Sequence, residues 1–242
     1  CPAPNLYGGI KLTLREIFQN VVKLLVKYKS AYISGILMTI KLSVVTVFFG
    51  MIIGSLIALL KLSEFHIGKI KPLNMLATIY VEVVRGTPLL LQLYFFVFLL
   101  PKAFPAFDLD KYACVLIGLV LNSAGYVAEI IRAGIAAVDP GQTEAARCLG
   151  LNTRQTLWKV VAPQAIKNIL PALGNELVSM IKETSLAATF FIGEITTQAN
   201  LVGGATFLQI ESLIISGSFY LVLTLGLSKI VSIYEKRLRV SD

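Results

Sequence analysis

From Leu42 to Leu60 the chain runs nineteen residues without a charge. As a helix, at about 1.5 Å of rise per residue, that stretch crosses a hydrocarbon core of about 30 Å. Lipid offers the backbone no hydrogen bonds, so spanning segments must satisfy their own amides and carbonyls, as helices do. Composition agrees: 56% of the 242 residues are hydrophobic and 15% are charged, with mean hydropathy +0.76. A soluble domain carries about a quarter charged residues. We therefore expect an all-α integral membrane protein.

Five transmembrane helices are predicted, at about 31–60, 73–100, 111–137, 165–190 and 210–234. The first holds Gly50 and Gly54 at GxxxG spacing, which permits close helix approach. The second contains Glu82 and Arg85, followed at once by Gly86-Thr87-Pro88. Proline removes a backbone donor and disfavours helix at the residue before it. Either the helix is broken there, buried in protein or lining a cavity, or it is simply kinked with a snorkelling Arg85. The third span brings Glu129 and Arg132 close enough to pair and stops at Asp139-Pro140-Gly141. The fourth carries Lys167, Asn168, Asn175, Glu176, Lys182 and Glu183, which cannot all face lipid. It must be buried among the others or face a polar cavity. Residues 104–110 and 194–210 read as loops.

Residues 140–166 are too polar to span, with Glu144, Arg147, Arg154 and Lys159 among them. They read as two short helices with a turn at Gly150-Leu151-Asn152. Lys and Arg concentrate in this segment, in the tail after Lys229, and in the first connection with Lys61, Lys69 and Lys71; residues 186–210 have none. Positive charge on the inner side then places the segment and the C-terminus in the cytoplasm and the N-terminus outside. Residues 12–28 set Leu14, Ile17, Phe18, Val21, Val22, Leu24 and Leu25 at helical spacing among charges. An amphipathic helix on the outer membrane surface is expected, with a sixth span as the alternative.

A single histidine leaves no room for a multi-histidine metal site, and Gly68-Lys69 is followed by isoleucine, so there is no phosphate-binding P-loop. Cys1, Cys114 and Cys148 are too widely spaced to imply a disulfide framework. The net charge of +8 is scattered between apolar spans without aromatic–basic interleaving, which suits lipid headgroups rather than nucleic acid. No catalytic residue, metal or cofactor is expected in this chain.

Glu144-Ala145-Ala146, three residues, Gly150, nine residues, then Val160-Val161-Ala162-Pro163 resembles the EAA loop of permease subunits of ATP-binding-cassette importers. Val160 and Ala162 stand where that pattern has isoleucine and leucine. Arg85-Gly86-Thr87-Pro88, Asn122-Ser123-Ala124-Gly125-Tyr126 and the stretch from Val138 to Ala146 are similar to the polar amino-acid branch. The resemblance covers residues 31–239, a transmembrane permease domain, and leaves 1–30 as an N-terminal extension. It implies a multi-pass transport subunit of the bacterial plasma (inner) membrane, not an enzyme. The partners implied are two ATP-binding subunits holding ATP and Mg, a second permease subunit, identical or paralogous, and an extracytoplasmic solute-binding protein. Glu144 would cap and make a charge contact, Ala145 and Ala146 would allow close approach, Gly150 would make the turn, and Pro163 closes the motif.

For the substrate, the backbone freed at Gly86-Thr87-Pro88 beside Arg85 could hold an amino acid's carboxylate and amine. Asn122 and Tyr126 are candidates from the second block. Glu176 lies mid-span, about 15 Å from either end. A carboxylate at that depth suits a cationic cargo such as arginine, lysine or histidine. Pairing with Arg85 or Lys182, or protonation, would also explain it, and glutamine or another polar amino acid is the alternative cargo. An ion-coupled carrier would be expected to repeat its motifs, and neither block recurs.

Overall fold

The structure is a computed structural model that describes residues 14–63, 65–66 and 70–239. The first thirteen residues of the expected extension, with Lys11, and Lys69 in the first connection lie outside the described residues. Ten α-helices follow one another among those described.

Helix α1, Leu14–Lys27, buries Leu24 against Tyr32, Ala199, Val202 and Ile215. Asn20 Nδ2 donates to Glu211 Oε1 at 3.0 Å on the same side. Leu14, Phe18, Val22 and Val26 form an exposed apolar flank. Its fourteen described residues fall short of the roughly twenty needed to cross a bilayer.

Helix α2, Lys29–Lys61, is the longest element at 33 residues. It packs lengthwise on α5, Lys111–Ala136, which is N-capped by Asp110 through a 2.7 Å bond from the Ala113 amide. The two glycines of the GxxxG pair are what let these helices close. A Cβ on Gly54 would lie 2.7 Å from the Ala124 carbonyl oxygen, and one on Gly50 would lie 2.8 Å from Ser123 Oγ. Leu42, Val47, Leu93, Val115, Leu119 and Met180 fill the core around that seam.

Between them, α3 (Pro72–Gly86) and α4 (Leu89–Ala103) meet at 108°, so the second predicted span is a broken helix and not a kinked one. After α5 come α6, Pro140–Cys148, and α7, Thr153–Thr156. Helix α7 is not a separate piece as expected. It runs through a π-helical turn, Leu157–Val161, directly into α8, Ala162–Glu183. Pro163 has no amide hydrogen to give the regular ladder, and the wider turn precedes it. Helix α8 ends at Glu183, short of the predicted 190, and the chain continues as a 3₁₀ segment, Thr184–Phe190.

The predicted loop at 194–210 is largely helix α9, Ile195–Thr206. Glu194 caps it, accepting from the amides of Thr196 (2.7 Å) and Thr197 (2.6 Å) and from the Tyr220 hydroxyl at 2.5 Å. A residue pattern too short and too glycine-rich to read as helix is held by that buried carboxylate. Helix α10, Gln209–Arg239, closes the bundle.

Among the described residues α2, α5 and α10 are long and apolar enough to cross a membrane, and the bent pair α3–α4 passes the same test when its two halves are taken together. The remaining predicted span, α8, has the length, about 33 Å, but not the apolar surface. Asn168, Asn175 and Lys182, seven residues apart, lie exposed along one face of it.

Candidate functional site

Two assemblies of polar residues stand apart from the apolar bundle. The first is the turn between α5 and α8. Asp139 Oδ1 accepts from the Gly141 amide at 2.9 Å and Pro140 occupies the first position of α6, a strong helix start. Ala146 is buried beneath α6, while Glu144 and Ala145 face outward. Gly150 has φ +84°, the left-handed conformation that glycine adopts without strain, and nothing crowds the place of its missing Cβ. Across the turn Arg147 Nη1 donates to Thr153 Oγ1 at 3.0 Å. Asn152 and Gln155 form a reciprocal capping box that starts α7. Val138, Val161 and Ala165 anchor the turn to the bundle. The result is a capped knob whose outer surface adds exposed Leu149 and Trp158 to the EAA residues. Pro163 is exposed one turn further on.

The second assembly lies along α5. Ser123 Oγ donates to Glu176 Oε1 at 2.9 Å, and Glu176 is 8% exposed. Gly50 opposite makes the room that Ser123 occupies. Glu176 forms no ion pair within 4 Å among the described residues, so neither Arg85 nor Lys182 neutralises it. Arg85 instead stacks over the Tyr126 ring at 5.8 Å and stands 3.8 Å from Glu129. Glu129 is already held by Arg132, at 2.5 Å to 3.0 Å from Nη2 and Nε, and by Lys61 Nζ at 3.2 Å. Three cations thus share one carboxylate where α2, α3 and α5 meet.

The break at Gly86-Thr87-Pro88 is exposed. Its carbonyls, however, are not free. Gln92 Nε2 donates to the carbonyls of Val84 (2.8 Å) and Thr87 (3.1 Å) and to Thr87 Oγ1 (2.8 Å), and Thr87 Oγ1 donates to the Val83 carbonyl at 2.8 Å. Gln92 Oε1 then accepts from Asn122 Nδ2 at 2.9 Å. Part of the backbone expected to be free at this break is therefore taken: Gln92, one turn into α4, bonds the Val84 and Thr87 carbonyls. Gln92 and the Lys61–Glu129 contact were missed. The sign of the former was a lone amide within an otherwise apolar run, Leu89–Leu100.

The sequence matches the family described as "Binding-protein-dependent transport system inner membrane component" over residues 49–240. The chain belongs to this family. The permease is 40% identical to the arginine transport system permease protein ArtQ of Bacillus subtilis (strain 168), over 87% of its length and 93% of that protein. It is 38% identical to the putative glutamine transport system permease protein GlnP of Rickettsia bellii (strain RML369-C), over 86% and 93%. A solved structure described as an amino acid ABC transporter with histidines superposes with TM-score 0.80 at 43% identity, covering 88% of the permease and 96% of that chain. The methionine transporter MetNI, at 17% identity and TM-score 0.68, shares the fold. The permease is thus an inner-membrane subunit of an ATP-binding-cassette amino-acid importer, a transport component whose ATPase is a separate subunit. Such importers work with ATPase and binding-protein partners.

Proposed function

We propose that the permease carries basic amino acids inward, with Glu176 as the partner of the cationic side chain. The observation that carries this is a carboxylate buried mid-bundle, bonded to one serine and without an ion pair among the described residues. A buried charge in a span stands for function by default, and a cargo cation is the complement it lacks. The 40% identity to an arginine permease favours the same cargo. Relatives whose names specify glutamine or cystine make glutamine the competing cargo.

The knob around Glu144 faces the cytoplasm with the Lys- and Arg-rich tail, and α1 lies on the outer surface with the N-terminus outside. Two ATPase subunits, holding ATP and Mg, take the knobs of two permease chains, identical or paralogous. A solute-binding protein delivers cargo from outside. ATP binding closes the ATPase pair, moves α6, and through α5 and α8 turns the path outward; hydrolysis resets it. The exposed stripe of Asn168, Asn175 and Lys182 on α8 lines that path, since such groups cannot face lipid.

The test is uptake by proteoliposomes holding the assembled transporter, with labelled arginine, lysine, histidine and glutamine. Accumulation of the basic amino acids, reduced at least tenfold for arginine in Glu176→Gln, is expected. Glutamine uptake alone, or arginine uptake unchanged in Glu176→Gln, would refute the cargo assignment. ATP hydrolysis by the purified chain itself would refute the division of labour.

A further inference from the structure

The last charges before two of the apolar runs share one cavity. On α2 the charge-free run begins at Leu42, directly after Lys41, and on α5 residues 112–128, directly after Lys111, carry no charge. Both lysines are exposed, and both line an open cavity of about 580 Å³ with Asp110, Tyr112, Phe190 and Phe191.

Lys41 Nζ stands 5.5 Å from the centre of the Tyr112 ring. Among the described residues neither lysine is ion-paired. Asp110 Oδ1 accepts from the Ala113 amide at 2.7 Å, so the carboxylate of the cavity is engaged in the cap of α5. Two lysines against that carboxylate leave the cavity net positive, and the amides of the first turn of α5 add to it.

The position of the cavity says which anion it suits. A charge beside a run that crosses the hydrocarbon lies at the level of lipid phosphates, and Tyr112 is of the aromatic type that belts that level. Toward the start of α2, a second cavity of about 380 Å³ shares Met38 and Lys41 and adds the Ser30 and Ser34 hydroxyls. Toward the hydrocarbon, Val44, Phe48 and Ile52 follow Lys41 along one face of α2, each about half exposed. An apolar groove of about 210 Å³ runs beside them between α2, α8 and α10, lined by Ile40, Val44, Ile181 and Leu223.

Hydroxyls, then two cations, then an apolar stripe match a glycerol headgroup, a phosphate and an acyl chain in order. A soluble anion has no use for the stripe. We infer that this site binds an anionic phospholipid, its phosphate between Lys41 and Lys111 and one acyl chain along α2. On the orientation proposed above it is a lipid of the outer leaflet. Phosphatidylethanolamine carries an ammonium that the lysines repel, so the site selects phosphatidylglycerol over it.

The experiment is native mass spectrometry of the delipidated permease–ATPase complex, titrated with phosphatidylglycerol or phosphatidylethanolamine of the same acyl chains. Wild-type complex should retain one more phosphatidylglycerol per copy of this chain than the Lys41→Gln/Lys111→Gln double variant, with phosphatidylethanolamine retention equal in the two. Lys41→Arg/Lys111→Arg should keep the wild-type number, and so should Lys102→Gln, which removes an exposed lysine outside the cavity. If the double variant fails to co-purify with the ATPase, Lys111→Gln alone carries the comparison. An equal number of retained lipids in wild type and the lysine variants overturns the site. The same equality with weaker capture of the solute-binding protein would assign the face to that partner instead. An equal loss in Lys102→Gln would reduce the effect to general charge attraction and also overturns it. Displacement of the lipid by glycerol 1-phosphate, beyond that by sodium chloride at equal ionic strength, would show a site for soluble phosphate and not for lipid. The count of retained lipids depends neither on the cargo nor on the orientation in the membrane.

Discussion

Gln92 and Asn122, thirty residues apart in sequence, are joined by a 2.9 Å hydrogen bond that fastens the start of α4 to the middle of α5. Through its other atoms Gln92 also ties together the two sides of the 108° break. Gln92→Leu leaves the Val84 and Thr87 carbonyls without that donor at membrane depth. Each such loss costs about 1–3 kcal/mol, so a lower unfolding temperature in detergent is expected. Gln92→Glu, which cannot donate when ionised, should fail in the same way.

Gly50 is where helix packing and the polar centre meet. A Cβ there would lie 2.8 Å from the Ser123 oxygen that holds Glu176. Gly50→Ala should therefore push Ser123 aside and weaken cargo uptake. At Gly54 the obstacle is backbone, the Ala124 carbonyl, which cannot rotate away. Overpacking costs about 1–3 kcal/mol, so Gly54→Ala should lower thermal stability more than Gly50→Ala does.

Gly150 and Gly86 should separate cleanly. A side chain at Gly150 would sit at φ +84° and cost about 1 kcal/mol of local strain. Gly150→Ala should reduce co-purification of the ATPase and ATP-dependent uptake together. Gly86 ends a helix with open space around the place of its Cβ, so Gly86→Ala should leave ATPase co-purification at the wild-type level.

Glu129→Gln removes the one anion that Lys61, Arg85 and Arg132 share. Leaving partly buried cations uncompensated costs about 3 kcal/mol. A lower unfolding temperature is expected, partly restored by the additional change Lys61→Met. Absence of any such restoration would mean the three cations are not coupled through this carboxylate.

Much of the fold was legible because lipid makes the pattern simple. Charge-free runs marked α2, α5 and α10, and proline beside Arg85 marked the break. The EAA spacing located the knob because its turn depends on local residues, Gly150 and the Asn152–Gln155 box. Helix α9 escaped because its stability comes from Glu194 and Tyr220, which are 26 residues apart. The polar centre was legible residue by residue but not in its pairing. Arg85 and Glu176 each stood out, yet which partner each takes depends on how α3 and α8 lie against α5.

The sequence by itself determined that this chain is a helical membrane protein with a capped polar turn before α8, since span length, helix breakers and turn residues act within a few residues of one another. Its EAA spacing carried the resemblance to permeases. Only the tertiary structure decided that Ser123 takes Glu176, that Gln92 closes the break, and that Glu129 gathers three cations. Apart from Glu129–Arg132 within α5 and the contacts where α3 and α4 fold back at the break, those pairings join residues 30 to 68 positions apart. Long-range partners are selected by packing in three dimensions, where two glycines let α2 and α5 close and so set which polar groups face each other.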